Sequence, residues 1–468
     1  MCKPLKKSLV LVLPVVTLGL LVLALARPSE FEQEEGKAKL RSKIDPDVVN
    51  SAAGGGTSAA VAPPNGFSPQ SRLGFTAGDQ WEPAIATDGF GHVYILYPQY
   101  QGVPGCSTCP NPTMVLQVSN DRGSTWGTPA PIAPPDGAFK TGQYDAQIVV
   151  DPLDRKTVYA AWLQNSKSDI AVAKSTNFGK TWSVVIADST NAGTDKPILV
   201  VRGQDIYVGY NHSQTVWGSY SHDGGHTFTS AKVNSNANLG WSLAGGGAVD
   251  QAGNVYFSWS GYEQNGGAKG KVNLYVSRSF DGGATWSSTL VDVSAAPPDC
   301  SDYFCGWAFL GAQMTMTSEG TGILYGLWNG GTVDKGPERI FFAKSTDAGV
   351  SWSRKVDISA APAGIAHAFP AVTVATPGDV RISWMDARNA PMWNAYYRRS
   401  RDGGKTWSGE SDISSFVPGF SYITADGFSF PFGDYYEMDV DDQGTTQVIM
   451  GQGLNWDSPG SIWYTRGK

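Results

Sequence analysis

The sequence predicts an all-β protein built as a β-propeller of four-stranded blades, seven by our count and six if the first or last module is irregular. Three observations predict it. The composition is strand-forming, one turn octapeptide recurs six times, and an aromatic strand signature recurs ahead of the turns. Charged residues are only 16% and aromatics 12%, with 16 Trp, 56 Gly and 28 Pro. Gly and Pro are poor helix interiors, whereas Trp and Tyr favour strands. That balance excludes a helical bundle, a coiled coil and a long disordered chain. Lys+Arg 35 against Asp+Glu 42 gives a net charge of −7. Nucleic acid is excluded as a partner on this ground, because sequence-independent binding needs a basic face.

Residues 1–26 read as a signal peptide or N-terminal membrane anchor. Lys3, Lys6 and Lys7 precede an uncharged, mostly apolar run from Ser8 to Ala26. This is a positive n-region followed by an h-region. Ala24 and Ala26 are small residues at the positions a signal peptidase reads. The run is also long enough to span a bilayer uncleaved. Either way the rest of the chain is expected outside, secreted or anchored to the outer face of the cytoplasmic membrane, with membrane contact through this segment alone. Residues 27–66 carry charge without periodicity and then Ser51–Gly66, small and Pro-terminated, which reads as a flexible linker. The propeller is expected over 67–468.

Export bears on the cysteines. Beyond Cys2 there are Cys106 and Cys109 (CSTC), then Cys300 and Cys305 (CSDYFC). In an oxidising compartment two local disulfides are expected. A four-thiolate metal site has similar spacings, and it belongs to the cytosol more than to the exterior.

The octapeptide reads SNDRGSTW from Ser119, STNFGKTW from Ser175, SHDGGHTF from Ser221, SFDGGATW from Ser279, STDAGVSW from Ser345 and SRDGGKTW from Ser400. Its form is S-x-D-x-G-x-T-W. Asp accepts hydrogen bonds from backbone N–H groups just ahead of it, and Gly supplies positive φ. Apolar alternating runs precede each copy, so each octapeptide joins two antiparallel strands. Upstream lies an aromatic strand, at Tyr94–Tyr97, Tyr159–Trp162, Tyr207–Tyr210, Tyr256–Trp259 and Tyr325–Trp328, with weaker copies at Arg381–Trp384 and Gln447–Met450. A further short strand precedes each of these. Strand, strand, strand, turn, strand, repeated, is a propeller blade. The seventh module ends at Lys468 with room for three strands. The segment near Arg72 is expected to supply the fourth and so to close the ring.

The repeat resembles the Asp-box, or BNR repeat, of the sialidase superfamily, over about residues 80–468. The resemblance implies a propeller whose boxes face away from the active site, directed at glycans, and possibly a glycoside hydrolase. The family clamps a carboxylate with three arginines, uses a Tyr nucleophile activated by Glu, and an Asp as general acid. Its first arginine lies in a Phe-Arg-Ile-Pro string. The matching string here is Trp81-Glu82-Pro83-Ala84, without arginine. A non-catalytic glycan- or protein-binding propeller of the cell envelope is therefore the alternative.

Inner-strand entries, and loops between second and third strands, share one face around the channel. Glu82, Asp145, Asp195 and Asp434 stand at such entries. Converging carboxylates suit acid–base work, and equally suit turn capping. Asp386 and Arg388 close a second strand, two positions apart and on one side. Tyr435 and Glu437 share a strand face, whereas Tyr436 and Glu437 do not. We therefore take Asp434, Tyr435, Glu437, Asp386, Arg388 and Glu82 as candidate catalytic residues. Asp145 and Asp195 are candidate ligand contacts. So are Phe428 and Phe430 in the aromatic loop Ser415–Gly433, and Trp307, because flat rings suit sugar faces. No metal-ligand spacing, nucleophile elbow, phosphate loop or dinucleotide fingerprint occurs, and no cofactor is expected.

Overall fold

Seven antiparallel four-stranded sheets follow one another along the chain as the blades of a seven-bladed β-propeller. The computed structural model describes residues 66–80, 82–133, 141–190, 193–234, 241–264, 269–297, 311–389, 392–414, 433, 435–452 and 460–468. No helix occurs among them. The expected leader and linker, and the segments that hold Trp307, Cys300, Cys305, Phe428, Phe430 and Asp434, lie outside the described residues.

The inner strands of blades 1 to 7 are Ala84–Thr87, Tyr144–Val150, Thr194–Arg202, Trp241–Val249, Met314–Glu319, His367–Val374 and Glu437–Val440. Blade 1 carries an extra short strand, Asp79–Gln80, beside its second strand. Blade 7 takes its outer strand from the start of the propeller. Ser71, Arg72 and Leu73 pair with Tyr464, Trp463 and Ile462. This joins the two ends of the ring and covers an edge that would otherwise be open.

The aromatic second strands form the packing between blades. Trp162, Trp328 and Trp384 are fully buried, as are Tyr94, Tyr97 and Tyr159. A buried indole N–H needs an acceptor. Trp162 finds Gln164 Oε1 at 2.8 Å, Trp328 finds Asp292 Oδ2 at 2.9 Å, and Trp384 finds Asp386 Oδ2 at 3.0 Å.

The octapeptides close on themselves as their chemistry requires. In the first, Asp121 Oδ1 accepts from Thr125 N at 2.7 Å and Oδ2 from Thr125 Oγ1 at 2.6 Å. Ser119 Oγ donates to the same carboxylate at 2.8 Å and accepts from Gly123 N at 2.8 Å. These bonds hold the Asp121 carboxyl down at about 2. The glycine does a second job, docking one blade on its predecessor. A Cβ on Gly123 would lie 1.7 Å from Tyr464 Oη of blade 7, and one on Gly404 would lie 2.4 Å from the Phe342 ring of blade 5.

One feature of the inner strands was not legible beforehand. Pairing slips by one residue near the entry of blades 2, 3, 4 and 6. The same slip occurs in blade 1, and in blades 1, 2, 3 and 6 the entry residues Glu82, Asp145, Lys196 and Phe369 take positive φ, between 51° and 56°. In three of these blades the next residue is proline, Pro83, Pro197 or Pro370. Proline has no N–H, so it suits a bulge that leaves the ladder unpaired.

Candidate functional site

The inner strands surround a channel of about 1230 Å³. Strand direction gives it two unlike ends. Inner-strand entries and second-to-third-strand loops form the entry mouth, and the Asp-boxes ring the other end.

At the mouth the bulges re-aim polar side chains that a regular strand would alternate. Glu82, Asp145 and Asp195 sit just behind the rim, each at most 4% exposed. Two ammonium groups stand among them. Lys167 Nζ is 3.5 Å from Asp195 Oδ1 and 5.4 Å from the centre of the Tyr144 ring. Lys196 Nζ lies 5.2 Å above the Tyr435 ring, and Lys196 N donates to Asp145 Oδ2 at 3.2 Å. Burial pushes the Asp145 carboxyl well above its ordinary range. Lys167 opposes that shift, while Asp195 and Glu82 add to it. Gly433 packs directly on Glu82, where a Cβ would come within 2.3 Å of Glu82 Cγ.

Tyr435 and Glu437 form the channel wall beside this cluster. Burial raises the Tyr435 phenol well above its usual value, helped by Asp145, Glu82, Glu437 and Asp195. The phenol is therefore neutral at rest. Glu437 Oε2 accepts from Ile85 N at 3.1 Å and Oε1 from Gln147 Nε2 at 2.7 Å. Burial still dominates and lifts the Glu437 carboxyl to about 8. It carries a proton at neutral pH on a wall that faces the channel.

Asp386 and Arg388 close the second strand of blade 6 on the mouth face, where they pair with each other. Arg388 donates from Nε to Asp386 Oδ1 at 2.9 Å and from Nη2 to Oδ2 at 2.6 Å, and from Nη1 to Glu410. Its guanidinium lies 3.6 Å over the Tyr396 ring. It does not line the channel. All four arginines that do, Arg155, Arg381, Arg399 and Arg401, stand at the Asp-box end. The undescribed segments after Gly66 contain no arginine at all. Arg339 and Arg388 stand on the mouth face at second-to-third-strand ends, each already paired, with Asp357 and with Asp386 and Glu410, and neither lines the channel. Cys106 and Cys109 are joined by a disulfide in the loop between the second and third strands of blade 1.

Sequence reasoning missed Lys167, Lys196 and Gln147. A polar residue inside the apolar run of Ala146–Val150 was a signal for Gln147, and the aligned residue–proline pairs were a signal for Lys196.

A model of the BNR repeat-like domain matches residues 71–303, about half the chain. Together with the six boxes and seven blades, that match decides the class. The chain is a BNR-repeat propeller. No curated protein matches it. Among solved structures it is similar to a protein of unknown function from Dyadobacter fermentans, with 13% identity over 87% of this chain and 99% of that one, TM-score 0.47. It is similar also to the NanB sialidase of Streptococcus pneumoniae, with 14% identity over 86% and 71%, TM-score 0.45. YCF48 bound to a D1 peptide is comparable, with 14% identity over 87% and 99%, TM-score 0.45. Likenesses this distant say nothing about what this BNR-repeat propeller acts on.

Proposed function

We propose that this is an exported, glycan-directed propeller that takes a glycan at the entry mouth and hydrolyses it. The glycan would lack a carboxylate on the reacting sugar. The observation that carries the reading is Glu437, a protonated carboxyl on the channel wall beside Tyr435 and the carboxylates Glu82, Asp145 and Asp195. A carboxyl lifted by burial toward neutral pH is suited to donate a proton to a leaving oxygen, and a neighbouring carboxyl group to complete the acid–base pair. The guanidiniums on the mouth face, Arg339 and Arg388, are paired with Asp357 and with Asp386 and Glu410, so an anionic sugar would meet carboxyl groups and cations already engaged. Export rests on Lys3, Lys6, Lys7 and the run Ser8–Ala26, with residues 27–66 as linker and 67–468 as the working domain.

The test is release of reducing sugar from a panel of neutral and sialylated glycans. Glu437→Gln and Asp145→Asn should abolish turnover of a neutral glycan. No turnover of any glycan would remove the enzymatic reading.

One observation favours a second reading, a non-catalytic binding propeller. Both Glu437 oxygens are already committed, to Ile85 N and to Gln147. That reading expects saturable glycan binding without product, unchanged in kind by Glu437→Gln.

A further inference from the structure

We propose that Lys167 is a positioning residue of the entry mouth, held on a strained left-handed turn so that its ammonium keeps one negative charge on the Asp145–Asp195 pair. The consequence for turnover rests on the reading of the mouth as a hydrolytic site, and the charge on the pair does not.

The turn lies between the second and third strands of blade 2. Asn165, Ser166 and Lys167 take φ of 55°, 58° and 67° in succession, the one such run of three non-glycine residues among those described. Ser168 N donates to Gln164 O at 3.2 Å and closes a single left-handed turn. That hand is unfavourable for every L-residue, whereas glycine adopts it freely. The surroundings over-determine the conformation. Ser166 N donates to Gly142 O at 3.0 Å, Ser168 Oγ to Asn165 O at 2.9 Å, and Thr141 Oγ1 to Asn165 Oδ1 at 2.9 Å. Lys167 O accepts from Thr194 N at 3.1 Å and from Thr194 Oγ1 at 2.7 Å, which ties the turn to the entry of blade 3.

The side chain carries a second cost. Lys167 is 5% exposed, and a buried ammonium loses its hydration. Glycine would suit this backbone and an apolar side chain this burial, so neither cost serves the blade itself. Strain of this kind persists where a site uses it. The use is visible in what Nζ meets, which is Asp195 Oδ1 at 3.5 Å and the Tyr144 ring next to Asp145. Asp145 and Asp195 are buried among Glu82 of blade 1, Lys196 of blade 3, and Tyr435 and Glu437 of blade 7. Carboxyl groups so buried tend to hold protons, and Lys167 is the foremost charge opposing that at Asp145. Asp195 acts on Asp145 in the other direction. One negative charge on the pair, balanced by Lys167, satisfies both. The protonated Glu437 then has a carboxylate in the same mouth, as an acid–base pair requires.

The test compares Lys167→Met, Lys167→Arg and Ser166→Gly with the parent chain. The readouts are infrared difference spectra of protonated carboxyls and the pH profile of neutral-glycan hydrolysis. Lys167→Met should gain about one carboxyl proton at neutral pH, and the gain should vanish when Asp145→Asn and Asp195→Asn are added. Its kcat should fall at least about tenfold with little change in KM. The acid limb of its profile should move to higher pH, because a carboxyl without its cation ionises later. Lys167→Arg keeps the charge and should match the parent in both readouts. Ser166→Gly should unfold about 2 °C higher, with the parent's spectrum and profile. No proton gained in Lys167→Met, an unmoved acid limb, or a lower unfolding midpoint in Ser166→Gly would each overturn the proposal. A parent chain that hydrolyses no glycan would instead remove the hydrolytic reading of the mouth, and the infrared result would still decide the role of Lys167.

Discussion

Gln147 and Glu437 lie 290 positions apart, yet Gln147 Nε2 donates to Glu437 Oε1 at 2.7 Å. The bond joins blade 2 to blade 7 across the inner strand of blade 1, whose Ile85 N–H donates to the other oxygen. Gln147 Oε1 in turn accepts from Leu199 N of blade 3 at 3.4 Å. One carboxyl and one amide thus tie four successive blades together at the channel.

This gives the Glu437 proton a consequence for stability. The carboxyl titrates near 4.5 when solvated and at about 8 in the fold. The folded protein therefore holds the proton where the unfolded chain has lost it. The stability this confers is complete below pH 4.5 and is lost as pH rises toward about 8. The slope is at most one proton's worth, about 1.4 kcal/mol per pH unit. Urea unfolding followed across that window should show falling stability, with a shallower slope in Glu437→Gln. Identical slopes in the two proteins would mean that Glu437 is ionised throughout.

A fluorogenic sialoside should be turned over little or not at all. Its carboxylate needs a guanidinium fork, and the channel-lining arginines are all at the far end. Loss of charge-assisted contacts of this kind costs several kcal/mol, or at least about two orders of magnitude in rate. Arg388→Ala should lower stability, because it removes the guanidinium shared by Asp386 and Glu410, and should leave glycan binding in the channel intact. Robust sialoside turnover that disappears in Arg388→Ala would contradict the placement of that side chain.

Arg381 is a clasp between blades 6 and 7. Its side chain is fully buried, and Nη1 donates to Gly444 O at 2.9 Å and Thr446 Oγ1 at 2.8 Å. Arg381→Met keeps the volume and removes the donors. Asp379 retains Arg399, so the expected loss is about 2–3 kcal/mol, below that of a fully orphaned buried charge. Chemical denaturation measures it. A loss under half a kcal/mol, on the order of a surface change, would refute the clasp.

Asp402→Ala tests the division of labour between the two faces. Asp402 accepts from Thr406 N at 2.8 Å, from Lys405 N at 3.0 Å and from Thr406 Oγ1 at 2.6 Å. All of these serve the turn. The variant should melt a few degrees earlier and bind at the entry mouth as the parent does. Unchanged melting with lost mouth binding would make the box a functional element.

The repeating parts were legible because their causes are local. An Asp that caps its own turn, a Gly with positive φ and an alternating aromatic strand all act within ten residues, so six boxes and seven strand signatures report themselves. Ring closure by Ser71–Leu73 was legible too, since a three-stranded last blade needs a fourth strand. The pairing of Cys106 with Cys109 acts over three residues.

The mouth was legible only as residue types at strand entries. Arg388 shows why. Two positions from Asp386 on one strand, it has the right chemistry for a carboxylate clamp, but Glu410 and the Tyr396 ring hold it away from the channel. Glu82 and Phe369 owe their direction to bulges whose left-handed backbone no propensity announces.

By itself the sequence determined the repeat, the strand order and the turn chemistry, because each depends on neighbours in the chain. Only the tertiary structure decided which polar groups meet and how they are charged. Contacts such as Gln147 with Glu437 exist because seven blades close into a ring. Closure buries the Glu437 carboxyl, and burial, not residue type, puts its proton in place at neutral pH.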